Sequence, residues 1–218
     1  MPQSSRGETL ARPTVGPLDL CWGLARRVVD FGVRRLTYAV ARRRMRQIRR
    51  DPAALMTRLR HARSVLVVCH GNIIRSPFAA QWLRQHLGAA APVSVWSAGL
   101  EAVPGRPPHP LALQLASRRG VDLADHTARR ITPAAVAESD IILVMDVPQL
   151  VTLRKRFPEV PGVDDKTFLL GCLDARAPLE IDDPVDGDET VFQTCFNHIS
   201  RAASPIAREL KLNQSDLA

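Results

Sequence analysis

The sequence predicts an α/β protein: a parallel sheet of about four strands with helices on both faces, preceded by a basic helical extension. Three observations predict it. Short apolar runs at Val65–Val68, Val93–Trp96, Ile141–Met145 and Phe168–Leu170 alternate with helical stretches. Two of them, Val65-Leu66-Val67-Val68 and Ile141-Ile142-Leu143-Val144-Met145, are continuous rather than alternating, the pattern of strands buried on both faces. Charge is also segregated. Residues 1–63 hold 15 Arg, no Lys and 4 acids, a net of +11, whereas residues 64–218 carry a net of −3.

In chain order, residues 1–16 are polar and rich in Pro, Gly and Ser, and read as a disordered lead. Residues 17–63 read as the basic helical extension. Arg pairs at 26/27, 34/35, 42/43 and 49/50 recur every seven to eight residues, about two helical turns. Leu24, Val28, Phe31, Leu36, Val40 and Ile48 supply a patchy apolar side. The texture changes at Ser64, so residues 64–218 form the catalytic domain. After the first strand come a helix from Pro77 to Leu87 and a strand ending in Ser97-Ala98-Gly99. A helix over 110–120 closes on Gly120, a natural left-handed stop. Helices over Val147–Phe157 and Thr190–Leu210 flank the last short strand. Ligands of such sheets bind beyond the carboxyl ends of the strands.

Composition narrows the class. A hydrophobic fraction of 45% supports a true core. The four cysteines, Cys21, Cys69, Cys172 and Cys195, form no CxxC pair, which fits reduced thiols in a cytoplasmic protein. No secretory leader is expected, and Arg interrupts every apolar stretch well short of the ~20 residues that span a bilayer.

The chemistry concentrates where the first buried strand ends: Cys69-His70-Gly71-Asn72-Ile73-Ile74-Arg75-Ser76-Pro77, followed by a helix. A tight strand-to-helix loop aims backbone N–H groups inward at a helix N-terminus, making an anion nest. Gly71 allows the turn and Pro77 suits the first helical turn. Arg75 offers a planar fork for two phosphate oxygens. A positive field of this kind favours a thiolate, the reactive form of cysteine. Ser76 is positioned to donate to the sulfur. Together these residues suit one task, holding a phosphate dianion and attacking its phosphorus in line.

This run resembles the signature of the low-molecular-weight protein tyrosine phosphatases. The resemblance continues through Ser97-Ala98-Gly99, His126-Thr127-Ala128-Arg129-Arg130, Asp140-Ile141-Ile142-Leu143-Val144-Met145-Asp146 and Asp183-Pro184, and covers roughly residues 64–210. Leu100 and the lack of a Tyr pair after Asp183-Pro184 resemble the bacterial branch linked to capsule and exopolysaccharide export, whose members act on membrane tyrosine autokinases. The resemblance implies phosphotyrosine hydrolysis through a cysteinyl phosphate, with no cofactor and no metal. It makes Cys69 the nucleophile, Arg75 the clamp and Asp183 the general acid, with the adjacent Asp182 as competitor. His70, Gly71, Asn72, Ile73, Ile74 and Ser76 would surround the phosphate, and Ser97 and His126 would brace the loop through Asn72. Two departures stand out. Ile74 sits where many relatives carry a second cysteine, and Val185-Asp186-Gly187-Asp188 provides no aromatic wall beside the acid.

Two other functions compete. An arsenate reductase on the same fold needs closely paired resolving thiols, which Cys172 and Cys195 do not supply in sequence. A non-catalytic phosphotyrosine-binding module would have no use for an intact Cys, Arg and Asp set. For residues 17–62 the alternatives are a helix that is solvated or packed on the domain, an anionic membrane surface as partner, and, weighed lowest, nucleic acid. On any of them the segment is expected to take no part in chemistry.

Overall fold

Strand β1 (Ser64–Cys69) lies inside an all-parallel sheet with β2 (Ser94–Gly99) on one side and β3 (Ile141–Val144) on the other; β4 (Thr167–Leu169) pairs beyond β3. The structure is a computed structural model describing the backbone of residues 17–88 and 91–215; side chains are described for residue 29 and for 31–88 and 91–212. The lead expected over residues 1–16 lies outside the described residues. Every residue from Val65 to Val68 and from Ile141 to Val144 is at most 1% exposed, which accounts for their unbroken aliphatic character.

The strand order is β2-β1-β3-β4, so the chain leaves β1 in one direction and later passes it in the other. With right-handed crossovers, this reversal puts α3 (Arg75–Leu87) on one face and α5 (Pro133–Glu138) and α6 (Val147–Arg156) on the opposite face. The reversal also opens a crevice at the carboxyl end of β1, where doubly wound sheets bind ligands. In register, Cys69 stands opposite Gly99, and Val68 opposite Val144, so the loops after β1, β2 and β3 share one edge. A long helix, α8 (Glu189–Ser215), covers α3; Phe78 stacks on Phe196 with ring centroids 3.9 Å apart. The remaining elements are α4 (Pro110–Ser117) and the one-turn α7 (Val163–Lys166).

Several elements differ from the sequence expectation, the short α7 and a 3-10 turn at Leu170–Leu173 among them. The helix read over 17–62 is two helices, α1 (Pro17–Arg50) and α2 (Ala53–His61), because Pro52 has no N–H to continue α1 and disfavours helix at Asp51. Helix α5 was not anticipated, although its start is written locally. Thr132 Oγ1 accepts from the Ala135 amide at 3.1 Å and Pro133 takes the first helical position.

The chain divides into two compact units, residues 1–37 and 38–218. In the first, the described part is helical; Val29, Phe31, Val33 and Leu36 are all more than half exposed, and the Arg35 guanidinium lies 5.5 Å from the Phe31 ring centre. The second unit begins 26 residues before Ser64, at Tyr38, and its core includes Ala41, Met45, Leu55, Leu59 and Ala62, none above 3% exposed. The extension expected over 17–63 thus contributes from Tyr38 onward to the same core as the sheet. Burying side chains such as Met45, Leu55 and Leu59 is worth about 2 kcal/mol each, a large share of a stability of about 5–15 kcal/mol.

Candidate active site

Cys69 ends β1 and is 3% exposed, with the loop over 70–74 running from it into α3. The loop closes because Asn72 takes a left-handed conformation, φ +55°, which asparagine tolerates better than most residues. That fully buried side chain anchors the whole loop. Its Nδ2 donates to Ser76 Oγ at 2.9 Å and Ser97 Oγ at 3.0 Å, and its Oδ1 accepts from the Arg129 amide at 2.8 Å. The Asn72 carbonyl faces His126 Nε2 at 2.9 Å. A carbonyl only accepts, so His126 must carry its proton on Nε2. Burial, opposed by that bond and aided by the charges of Arg84 and Arg129, lowers the His126 pKa and favours the neutral ring.

Around the sulfur, the Asn72 amide donates to Sγ at 3.2 Å, and Ser76 Oγ lies 3.0 Å away. Ser76 Oγ also lies 3.3 Å from the Ala98 carbonyl, so its single proton is shared between that oxygen and the sulfur. Among the described residues, the amides of Gly71, Ile73, Ile74 and Arg75 have no acceptor, the arrangement of an anion nest. Gly99 makes room for it: a Cβ there would stand 2.7 Å from the His70 carbonyl oxygen and 2.9 Å from the Asn72 nitrogen. The turn after Gly99 holds the loop from outside, Leu100 N donating to Cys69 O and Glu101 N to His70 O, both at 2.9 Å. His70 itself is exposed, whereas Ile73 and Ile74 are buried.

Arg75 opens α3 with a side chain only 3% exposed. Its Nη1 donates to the Ile181 carbonyl at 3.0 Å and lies 3.3 Å from Asp146 Oδ2, while Nη2 meets Asp183. Two carboxylates therefore offset a buried guanidinium. They differ in character. Asp146 caps α6, accepting from the Gln149 amide at 2.8 Å and its side-chain Nε2 at 2.7 Å, and burial pushes its carboxyl up against the pull of those bonds and of Arg75. Asp183 is more open, its side chain 38% exposed. Asp182 turns elsewhere and lines a separate cavity of about 470 Å³ with Cys195 and His198 of α8.

The structure places the residues expected from the sequence around this loop, with Ser97 and His126 reaching it through Asn72. Sequence reading gave no role to Asp146, Gly99 or the Ile181 carbonyl. For Asp146 a signal exists, Asp-Val-Pro being a helix start; for a backbone carbonyl 106 residues from its partner there is none. Of the other thiols, Cys172 packs on Met45 and Cys195 against the Asp182 carbonyl. Burial pushes them up to about 11 and about 12, respectively.

A buried cysteine at a nest of unpaired backbone amides, beside a buried arginine that meets a loop carboxylate, defines a cysteine-dependent phosphatase site. Residues 64–216 match the model of the low molecular weight phosphotyrosine protein phosphatases, and the chain belongs to that family. It is 37% identical over 139 residues to the probable low molecular weight protein-tyrosine-phosphatase EpsP of Ralstonia nicotianae, covering 64% of this chain and 90% of that one. The tyrosine phosphatase Wzb of Escherichia coli K30, solved with sulphate, superposes with a TM-score of 0.62 at 29% identity, over 68% of this chain and 99% of that one. The YwlE arginine phosphatase of Geobacillus stearothermophilus superposes with a TM-score of 0.63 at 26% identity, over 71% and 97%.

Proposed function

We propose that the protein hydrolyses phosphotyrosine in protein substrates through a cysteinyl phosphate on Cys69. The observation that carries this reading is the cluster of donors around Sγ facing Arg75 and Asp183. In the first step Cys69 Sγ attacks phosphorus in line, and the S–P bond forms as the P–O bond to tyrosine breaks. The amides of Gly71, Ile73, Ile74 and Arg75 and the guanidinium hold the three phosphoryl oxygens. Arg75 exchanges Asp183 for phosphate in this step, and the released carboxyl, having taken up a proton from solvent or from the bound phosphoryl group, gives it to the departing phenolate. In the second step Asp183 takes a proton from water, the water oxygen bonds to phosphorus, and the S–P bond breaks with Ser76 donating to the leaving thiolate. Arg75→Lys removes the planar fork, and a fall in kcat/KM of about 100- to 1000-fold is expected.

Turnover of a phosphotyrosine peptide tests the reading, with phosphoserine, phosphoarginine and arsenate as parallel arms. Phosphotyrosine should be preferred. Faster hydrolysis of phosphoarginine would transfer the activity to the class of the YwlE enzyme, and thiol-dependent arsenate reduction without ester hydrolysis would replace it.

Because Ile74 leaves no second thiol in the loop, and Cys195 and Cys172 are held protonated, neither suits the role of resolving nucleophile for an oxidised Cys69. Peroxide is therefore expected to inactivate the enzyme with poor recovery in dithiothreitol. Full recovery after excess peroxide would mean that a thiol does reach Sγ.

The proposed protein substrate is a membrane tyrosine autokinase, in keeping with the features shared with the capsule-associated branch. Exposed Val29, Phe31, Val33 and Leu36 beside Arg34 and Arg35 support a location at an anionic membrane surface. No helix among the described residues is long and apolar enough to cross a membrane. Each basic residue near such a surface contributes about 1 kcal/mol. Full-length protein should co-sediment with phosphatidylglycerol vesicles in low salt and be released by high salt, and Arg34→Glu with Arg35→Glu should weaken binding by about 30-fold or more without changing turnover of a small aryl phosphate. No binding by the unaltered chain would end the membrane reading.

A further inference from the structure

The stretch that delivers Asp183 to Arg75 is gripped by residues outside the family match. After β4 the chain makes a 3-10 turn at Leu170–Leu173, loops out, and returns through Pro178, Leu179 and Glu180 to Ile181, Asp182 and Asp183. The two limbs of this loop touch at its neck. A Cβ on Gly171 would stand 2.4 Å from the Leu179 carbonyl oxygen, so the closure requires glycine there. Arg49 of α1 sits across the neck and bonds to both limbs: Nη2 to Gly171 O at 2.6 Å and Pro178 O at 3.2 Å, Nη1 to Ala177 O at 2.9 Å. One turn or two earlier on the same helix, Arg42 Nε donates to Glu180 Oε1 at 2.8 Å, and the other oxygen of Glu180 accepts from the Val147 amide at 2.9 Å. Met45, fully buried between the two arginines in sequence, packs on Cys172 in the 3-10 turn, Sδ to Sγ 3.8 Å.

None of these α1 residues lies in the family-matched range of 64–216. We infer that Arg49, assisted by Arg42, is a positioning residue for the acid-bearing loop, so that α1 sets where Asp183 stands relative to the leaving oxygen. The inference rests on the reading of Asp183 as general acid. Its physical basis is reach and redundancy. Asp183 follows Pro178 by five residues, a short tether. Beyond the neck the loop is fixed by bonds close to the site, Ile181 N to Met145 O at 2.9 Å and Ile181 O to Arg75, by the Val147 amide on Glu180, and by Cys195 of α8, whose Sγ lies 3.7 Å from Asp182 O. Arg75 must itself turn to phosphate during the reaction, and at that moment the limb loses one of its holds and depends more on the others, the grip of α1 among them. A planar guanidinium can bond three carbonyls on two limbs at once.

The expected signature is selective. Arg49→Met, which keeps the packing stem but removes the bonds, should lower kcat for phosphotyrosine about ten- to a hundredfold, the scale of a small misplacement of a catalytic group. Hydrolysis of an aryl ester whose phenol leaves unaided should fall less than about twofold, and KM should hardly move, because the nest and Arg75 are untouched. Arg49→Lys, with one nitrogen on a shorter reach in place of the fork, should recover part of the loss. Arg42→Gln, altering a partly exposed ion pair that the fold can spare, should show a weaker form of the same pattern and covers the case in which Arg49→Met does not fold. Asp183→Asn serves as the reference, and the double variant Arg49→Met/Asp183→Asn should be no slower on phosphotyrosine than Asp183→Asn alone. An equal loss on both esters, additivity in the double variant, or no loss with either arginine variant would overturn the inference while leaving the acid in place. If Asp183→Asn itself lacks leaving-group dependence, the acid reading falls, and this inference with it.

Discussion

Cys69→Ser should abolish steady-state hydrolysis and leave phosphate-ester binding intact. A serine hydroxyl is a far weaker acid than a cysteine thiol, and among the described residues no imidazole or carboxylate lies within hydrogen-bond reach of Sγ to take its proton; its contacts there are the Asn72 amide and Ser76 Oγ. The loss should be about ten-thousandfold or more, as when a covalent nucleophile is removed from its assembled site. Binding should survive because Arg75, the loop amides and the Asn72 anchor do not depend on the sulfur. Kd for a phosphotyrosine peptide, measured by calorimetry on the variant, should match KM of the parent within a few fold. Measurable turnover above contaminating activity would remove Cys69 from the nucleophile's role, and loss of binding would mean that the sulfur holds the loop in shape.

Replacing Asp183 by asparagine has the second largest expected effect, and its size should depend on the substrate. General acid catalysis by a positioned group is worth about 100- to 10,000-fold, and it matters most when the leaving oxygen is most basic. Phosphotyrosine should therefore lose most, while an ester of a strongly acidic phenol should lose little. Asp182→Asn should be close to neutral on both, since that carboxylate lines the cavity against α8 rather than facing Arg75. The measurement is kcat across a series of aryl phosphates, plotted against the pKa of the phenol. A steep dependence in Asp182→Asn and none in Asp183→Asn would reassign the acid.

Much of the site was legible because it is local. A strand of four β-branched and aliphatic residues, a loop of five residues, and an arginine at the start of a helix lie in one stretch from Val65 to Pro77, and short-range sterics determine its shape. The same holds for the two central strands, whose unbroken apolar runs reflect burial on both faces. Helix α5 was equally local but short. Its six residues carry too little periodicity to register, and the Thr132-Pro133 start is the signal that does.

The extension shows where local reading stops. Arginines recurring every seven to eight residues mark α1 as charged, and charge is commonly taken to mean solvent. Yet Ala41 and Met45 are buried among those arginines, and Arg42, Arg44 and Arg49 point back to Glu180, Asp165 and three loop carbonyls. A long arginine stem can cover apolar surface while its head finds a partner, so composition alone does not say which side of a helix faces a core.

By itself, the sequence determined the succession of the four strands, the cysteine-bearing loop and the arginine that ends it, because each is written within a few residues. The tertiary structure decided which carboxylate meets Arg75, how Asp146 shares that arginine, and where the second unit begins. Asp146 and Asp183 stand 71 and 108 residues from Arg75, and what a loop carboxylate faces depends on how its loop is held. Part of that hold comes from α1, across the neck of a loop more than 120 residues away in the chain, and no pattern within either segment records the other.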